Sequence, residues 1–219
     1  SFFKFLMDLN IYSYFLFYFI IIFSVVGYGL FFSHVTNVSS ISKNFGFAGL
    51  LGLFFLLIYS YLSNFLIAHS LIHNSLLVLI GIFFYLYFIR NIIYKNKEIL
   101  LFISIFLVLF ISALIFKTHD DFPYYHFGYS YYLTQSSSHI GIGAFNHGFK
   151  TPSSIFYLNS LFYLPAVKYY MFHMPALLIM GFSNYILLNK IIKNIKNKSI
   201  NFLTFFSLLS LLFINIFFY

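Results

Sequence analysis

The chain has 219 residues and a formal charge of +8; 62% of its residues are hydrophobic and only 7% are charged. About a quarter of a soluble domain is ordinarily charged, so these figures exclude a water-soluble globular fold. With no cysteine, the chain has no disulfide, no thiolate nucleophile and no zinc–cysteine site. Its basic residues stand in short clusters beside apolar runs, a pattern that encodes membrane topology and argues against a nucleic-acid partner. The 35 Phe and 20 Tyr accompany many Ile, Asn and Lys residues, as AT-rich codon usage would produce, so aromatic density alone carries no functional weight.

Six apolar segments follow one another, at residues 11–32, 46–67, 75–93, 99–116, 169–189 and 200–219. Each is about long enough to cross the hydrocarbon core of a bilayer, which takes about 20 helical residues. Each must be helical, because only a helix satisfies its own backbone polar groups there. Barrel strands would be half as long and alternate in polarity. The expected fold is therefore all-α, a polytopic bundle of about six spans. Small residues at Gly46, Gly49 and Gly52 predict a face for close helix packing. The chain opens on Ser1 and ends inside an apolar run, so it is expected to be a fragment of a longer protein whose 219 residues here form a single transmembrane domain. The first apolar run is too long for a cleavable signal peptide.

Lys and Arg in the short connections set the orientation. Arg90, Lys95 and Lys97 lie between the third and fourth segments, and Lys190, Lys193, Lys196 and Lys198 between the fifth and sixth. Two spans separate the clusters, so they belong on one side, the cytoplasmic one. Residues 33–44 join them there. Residues 69–74 and the long connection 117–168 then face outward, into the periplasm of a Gram-negative cell.

That connection holds Asp120 and Asp121, two of the chain's four acidic residues, together with His119, His126, His139 and His147. Asp121 is placed to cap a helix whose first turn contains Pro123. Phe122, Tyr125, Tyr129 and Tyr132 fall on one stripe of that helix, suited to the headgroup level of a bilayer. A Ser/Gly-rich turn, residues 136–143, follows. Thr151-Pro152 then reads as a second helix start, with the helix ending near Pro165. Two short interfacial helices, residues 122–134 and 152–164, thus form an outward platform.

Paired carboxylates at the head of such a platform take a proton from an attacking hydroxyl, or hold a divalent cation beside a phosphate leaving group. The competing reading is that Asp120-Asp121 ends one helix and caps the next. His119 and His126 are placed to tune the pair. Lys150, Asn146, His147, Tyr124 and Tyr125 are the candidate sugar and phosphate contacts. His69 and His73, four residues apart, read first as interface residues, since no third metal ligand accompanies them.

A membrane helix that runs straight into Asp120-Asp121, followed by two interfacial helices, resembles the C-type membrane glycosyltransferases. The stretch from His119 to His126, with Asn146 to Ser154, also resembles uncharacterised multi-spanning bacterial membrane proteins that carry the same His-Asp-Asp-Phe-Pro-Tyr-Tyr-His loop. The likeness covers about residues 99–190. It implies transfer of a sugar from a polyprenyl-phosphate-linked donor, with Asp120 or Asp121 as the functional acid. It departs from the family pattern in one respect: three helices precede the one that leads into the acidic loop, where the enzymes usually have none. The alternatives are a polymerase or ligase of surface polysaccharide and, in a different class, a transporter or flippase. The implied location is the bacterial plasma membrane, with membrane lipids and the donor as partners and a divalent cation as the candidate cofactor.

Overall fold

The computed structural model describes residues 10–38, 41, 43–90, 92, 94–114, 121–138, 141–150, 153–199 and 201–217. Each of the six predicted segments forms a helix: α1 (Ile11–Val35), α2 (Phe45–Leu66), α3 (Leu71–Ile89), α4 (Asn96–Leu114), α7 (Met174–Lys196) and α8 (Phe202–Phe217). Between α4 and α7 lie α5 (Phe127–Gln135) and α6 (Ser154–Leu161). By length and composition α1, α2, α3, α4 and α7 can each cross a membrane, the last extended by a 3-10 turn at Tyr169–Met171; α8 is shorter. The protein is an all-helical membrane bundle, and the described residues contain no strand beyond one isolated bridge, Leu164 with Lys168.

Helix starts follow the local chemistry. The side chains of Asn10, Asn44 and Ser70 accept hydrogen bonds from the first-turn N–H groups of α1, α2 and α3, donors that have no partner within the helix. Two helices outrun their apolar segments. The fourth begins at Asn96, with Glu98 in its first turn, and α7 continues to Lys196, with Lys193 and Lys196 in its last turn. Acids at a helix start and cations at its end oppose the macrodipole, so these helices extend beyond the hydrophobic stretch that marks them in sequence.

Helix α1 is the centre of the bundle. It is held between α2 and α3 by backbone contact: a Cβ at Gly29 would collide with the Ala48 carbonyl oxygen, one at Gly52 with the Val25 carbonyl oxygen, and one at Gly27 with the Gly81 carbonyl oxygen. The predicted small-residue face of α2 thus serves two neighbours. Gly52 packs on α1, whereas Gly46 and Gly49 receive Ile186 and Phe182 of α7. In α8, Asn215 exchanges two 2.9 Å amide hydrogen bonds with Asn184 of α7, which fixes the register of that pair.

The bundle has two chemically distinct ends. At one, Lys193 bridges Glu98 at 3.2 Å, and Phe45 stacks on Tyr94. That ion pair joins the two predicted basic clusters and confirms that they share a side. At the other end lie the α2–α3 turn, the start of α7 and the platform.

The platform differs in detail from its expected form. Its first helix opens as a π-helical turn, Phe122–His126, and continues as α5. Its second begins later than predicted, capped by Ser153, and ends at Leu161; Thr151 and Pro152 lie outside the described residues. The tyrosine stripe turns onto the second platform helix. Tyr129 and Leu133 are buried with Phe156 and Tyr157 of α6, and Tyr125 and Tyr132 pack on that cluster. A short helix cannot bury enough surface by itself, so the two cover each other.

Candidate functional site

The described part of the acidic site starts at Asp121, at the head of the π-helical turn. Its backbone carbonyl accepts the N–H groups of Tyr124 and Tyr125 at 3.2 Å and of His126 at 3.5 Å. Its carboxylate makes no capping bond to that helix and accepts instead from the Tyr125 hydroxyl at 3.5 Å. The capping role expected of the Asp121 side chain is therefore not formed, although the residue holds the capping position. His126 sits one turn on, its ring 4.4 Å from that of Tyr125 and 4.9 Å from that of Phe156.

The segment after α5 folds back on this turn through two 3-10 pieces, Ile142–Ala144 and His147–Lys150. Gly148 abuts the Tyr125 ring, leaving no room for a Cβ. The Asn146 side chain accepts from the Gly148 N–H at 2.9 Å and reaches the Tyr124 carbonyl at 3.5 Å. The fold thus gathers Asp121, Tyr124, Tyr125, His126 and Asn146, although they are as far as 25 residues apart in sequence. His147 and Lys150 are exposed on the same small turn, and Tyr124 projects into the open. The amide of Asn146 is engaged in holding the turn, so its contribution to a ligand is positional. His119, Asp120 and His139 lie outside the described residues. Among the described ones, no three His, Asp, Glu or Cys side chains converge as metal ligands. A cation held by the acidic pair depends on Asp120 together with Asp121.

The most developed polar arrangement is one that spacing alone does not assign. His69, in the turn between α2 and α3, is fully buried. Its Nδ1 lies 2.7 Å from the Ser160 hydroxyl of α6 and its Nε2 2.9 Å from the Ser63 hydroxyl of α2. The Ser160 hydroxyl donates to the Tyr157 carbonyl at 2.8 Å. The Ser63 hydroxyl likewise reaches the Ser60 carbonyl, at 3.4 Å, so the imidazole bridges two hydroxyls that are each tied to a helix backbone. Burial holds the imidazole pKa down at about 3, with His73 nearby lowering it further. His69 is neutral.

Asn74 completes the arrangement. Its amide nitrogen donates to the carbonyls of His69 at 2.9 Å, Ser160 at 2.8 Å and Tyr163 at 3.0 Å. Its oxygen therefore faces His73 Nδ1, at 2.9 Å, which must carry the proton, leaving Nε2 to accept from the Tyr59 hydroxyl at 2.8 Å. Asn64 does the same for α5: it donates to the Leu133 carbonyl at 2.9 Å and accepts from the Ser138 hydroxyl at 2.7 Å. No buried side-chain polar atom among the described residues lacks a partner. The α2–α3 turn is thus a latch that holds both platform helices to the bundle. The signal for it in sequence is the set Ser60, Ser63, Asn64, His69, His73 and Asn74, polar residues at helical spacing within apolar surroundings. His173 is a separate contact at the same end, 2.7 Å from the Tyr14 hydroxyl.

Comparison of the chain with protein-family models, with curated proteins and with solved structures gives no match.

Proposed function

We propose that the protein is a glycosyltransferase-like membrane enzyme that moves a sugar from a polyprenyl-phosphate-linked donor at the platform end of the bundle. In this reading Asp120 or Asp121 accepts the proton of the acceptor hydroxyl as its oxygen bonds to the sugar carbon. The polyprenyl phosphate leaves as the anion. His119 and His126 flank the acid, and Lys150 and His147, exposed on the adjoining turn, meet the phosphate. The observation that carries the reading is the placement of Asp121: it heads a platform locked to the bundle, and its carboxylate is not used to cap the helix behind it. Ion-coupled transport is the weaker alternative, because the charged residues of the described spans lie at their ends, not near the midplane.

Basic residues favour the cytoplasmic side, so the platform faces outward, to the periplasm in a bacterial plasma membrane. The chain has no cysteine of its own, which makes single-cysteine reporters clean. Cysteine at Ala144 is expected to react with an impermeant maleimide in spheroplasts, and cysteine at Asn197 only after lysis. The reverse pattern would invert the orientation and remove the donor assignment.

For the chemistry, Asp121→Asn and Asp120→Asn keep size and remove basicity. One of them is expected to cut release of polyprenyl phosphate from a labelled donor in proteoliposomes by a factor of about a hundred or more, with insertion unchanged. Full activity in both variants, or no donor turnover by the native chain across the common polyprenyl-linked sugars, would sink the proposal.

A further inference from the structure

At the end opposite the platform, α7 continues beyond its apolar stretch. Its 23 residues span about 35 Å, against about 30 Å of hydrocarbon, so its last turns reach headgroup depth. Lys190, Lys193 and Lys196 recur every third residue there, and Ile192 and Ile195 stand between them, 49% and 56% exposed. Ile191 faces inward. The outer surface of these turns therefore interleaves ammonium groups with bare aliphatic side chains. A helix end facing only water has no use for the isoleucines, and one facing only hydrocarbon has none for the lysines.

The charge at this end has little compensation within the chain. Of the four acidic residues, Asp8 precedes α1, and Asp120 and Asp121 belong to the platform loop. Glu98 remains, bridged to Lys193, whose side chain is still 57% exposed. The bridge also brings the first turn of α4, with exposed Lys95 and Lys97 beside it, against the same surface.

We propose that the last turns of α7 and the first turn of α4 form a binding surface for anionic glycerophospholipid. The lysines meet the headgroup phosphate, and Ile192 and Ile195 pack along the upper acyl chains. This surface is independent of the transferase reading. A soluble polyanion would match the lysines alone, whereas the alternation of lysine and isoleucine matches a ligand that is both anionic and apolar.

The test uses the full chain purified in neutral detergent, with bound lipid counted by native mass spectrometry. Phosphatidylglycerol is expected to be retained at least about tenfold over phosphatidylcholine. The variant K190Q/K196Q, altered at exposed positions and leaving the Lys193–Glu98 bridge in place, is expected to bring retention of the two lipids to within about twofold. K168Q, altered at an exposed position at the other end, is expected to keep the preference. As a measurement free of mutation, 0.5 M salt should strip the preference from the native chain, because the contact is electrostatic and accessible. Equal retention of the two lipids, a preference that survives in the lysine variant, or one that survives high salt would each overturn the proposal. So would competition by inorganic phosphate or a short RNA at concentrations that match the lipid.

Discussion

Asn74→Leu is expected to release the platform from the bundle. The substitution keeps nearly the same shape but removes the amide that serves the buried bonds to the His69 and Ser160 carbonyls and the half-buried one to Tyr163. It also leaves His73 Nδ1 without its acceptor. Each buried group left without a partner costs about 1–3 kcal/mol, and several are lost at once. A fall of at least about 3 kcal/mol in docking stability follows. Cysteine at Leu161, a fully buried position, reports the event: it should be inert to maleimide in the native background and reactive with Asn74→Leu. Continued protection with an unchanged melting temperature would show that the latch is not what holds the platform.

Acid should act on the same latch. With the folded pKa of His69 held at about 3 and an unfolded value of about 6.5, the undocked state binds the proton more readily. Stability is therefore fully present above about pH 6.5. It declines as the pH falls toward 3, by up to about 1.4 kcal/mol per pH unit. Maleimide protection at position 161 should weaken over that interval. His69→Asn, which does not titrate there, should show a flatter dependence.

The second large effect is expected at Gly52. A Cβ there would collide with the Val25 carbonyl oxygen, which belongs to the backbone of α1 and cannot rotate away. Gly52→Val therefore forces α1 and α2 apart and opens the contact around which α3 and α7 are arranged. Overpacking of this kind costs typically about 1–3 kcal/mol, and more where backbone must move. The expected readout is loss of the monodisperse folded species and a large drop in melting temperature. Gly128→Ala serves as the contrast. Its new methyl group would meet only the Phe149 ring, at 3.7 Å, and alanine favours the helix. Native-like stability in Gly52→Val would refute the central place given to this contact.

The bundle itself was legible in the sequence. Twenty-residue apolar runs leave the backbone no alternative to helix in lipid, and the lysine clusters at the start of α4 and the end of α7 belong on one side by charge alone, in agreement with the Glu98–Lys193 contact. Packing of Gly46, Gly49 and Gly52 was likewise readable, because small residues at helical spacing admit a neighbour. Asp121 was found at its helix start, yet its carboxylate does not make the bond that this position usually implies.

Tertiary structure alone decided the rest. The tyrosine stripe of α5 could have faced lipid or protein, since a ring with a hydroxyl suits both; only the presence of α6 beside it buries Tyr129. His73 meets Asn74 within its own turn, but that pairing does not reveal the role of the two histidines. Their partners, Ser160 of α6 and Tyr59 of α2, arrive from 91 and 14 residues away. Hydropathy is a local sum and fixes where a helix lies in a bilayer. A hydrogen bond between distant side chains depends on how those helices then meet, so the latch, and the platform it positions, exist only once the chain has folded.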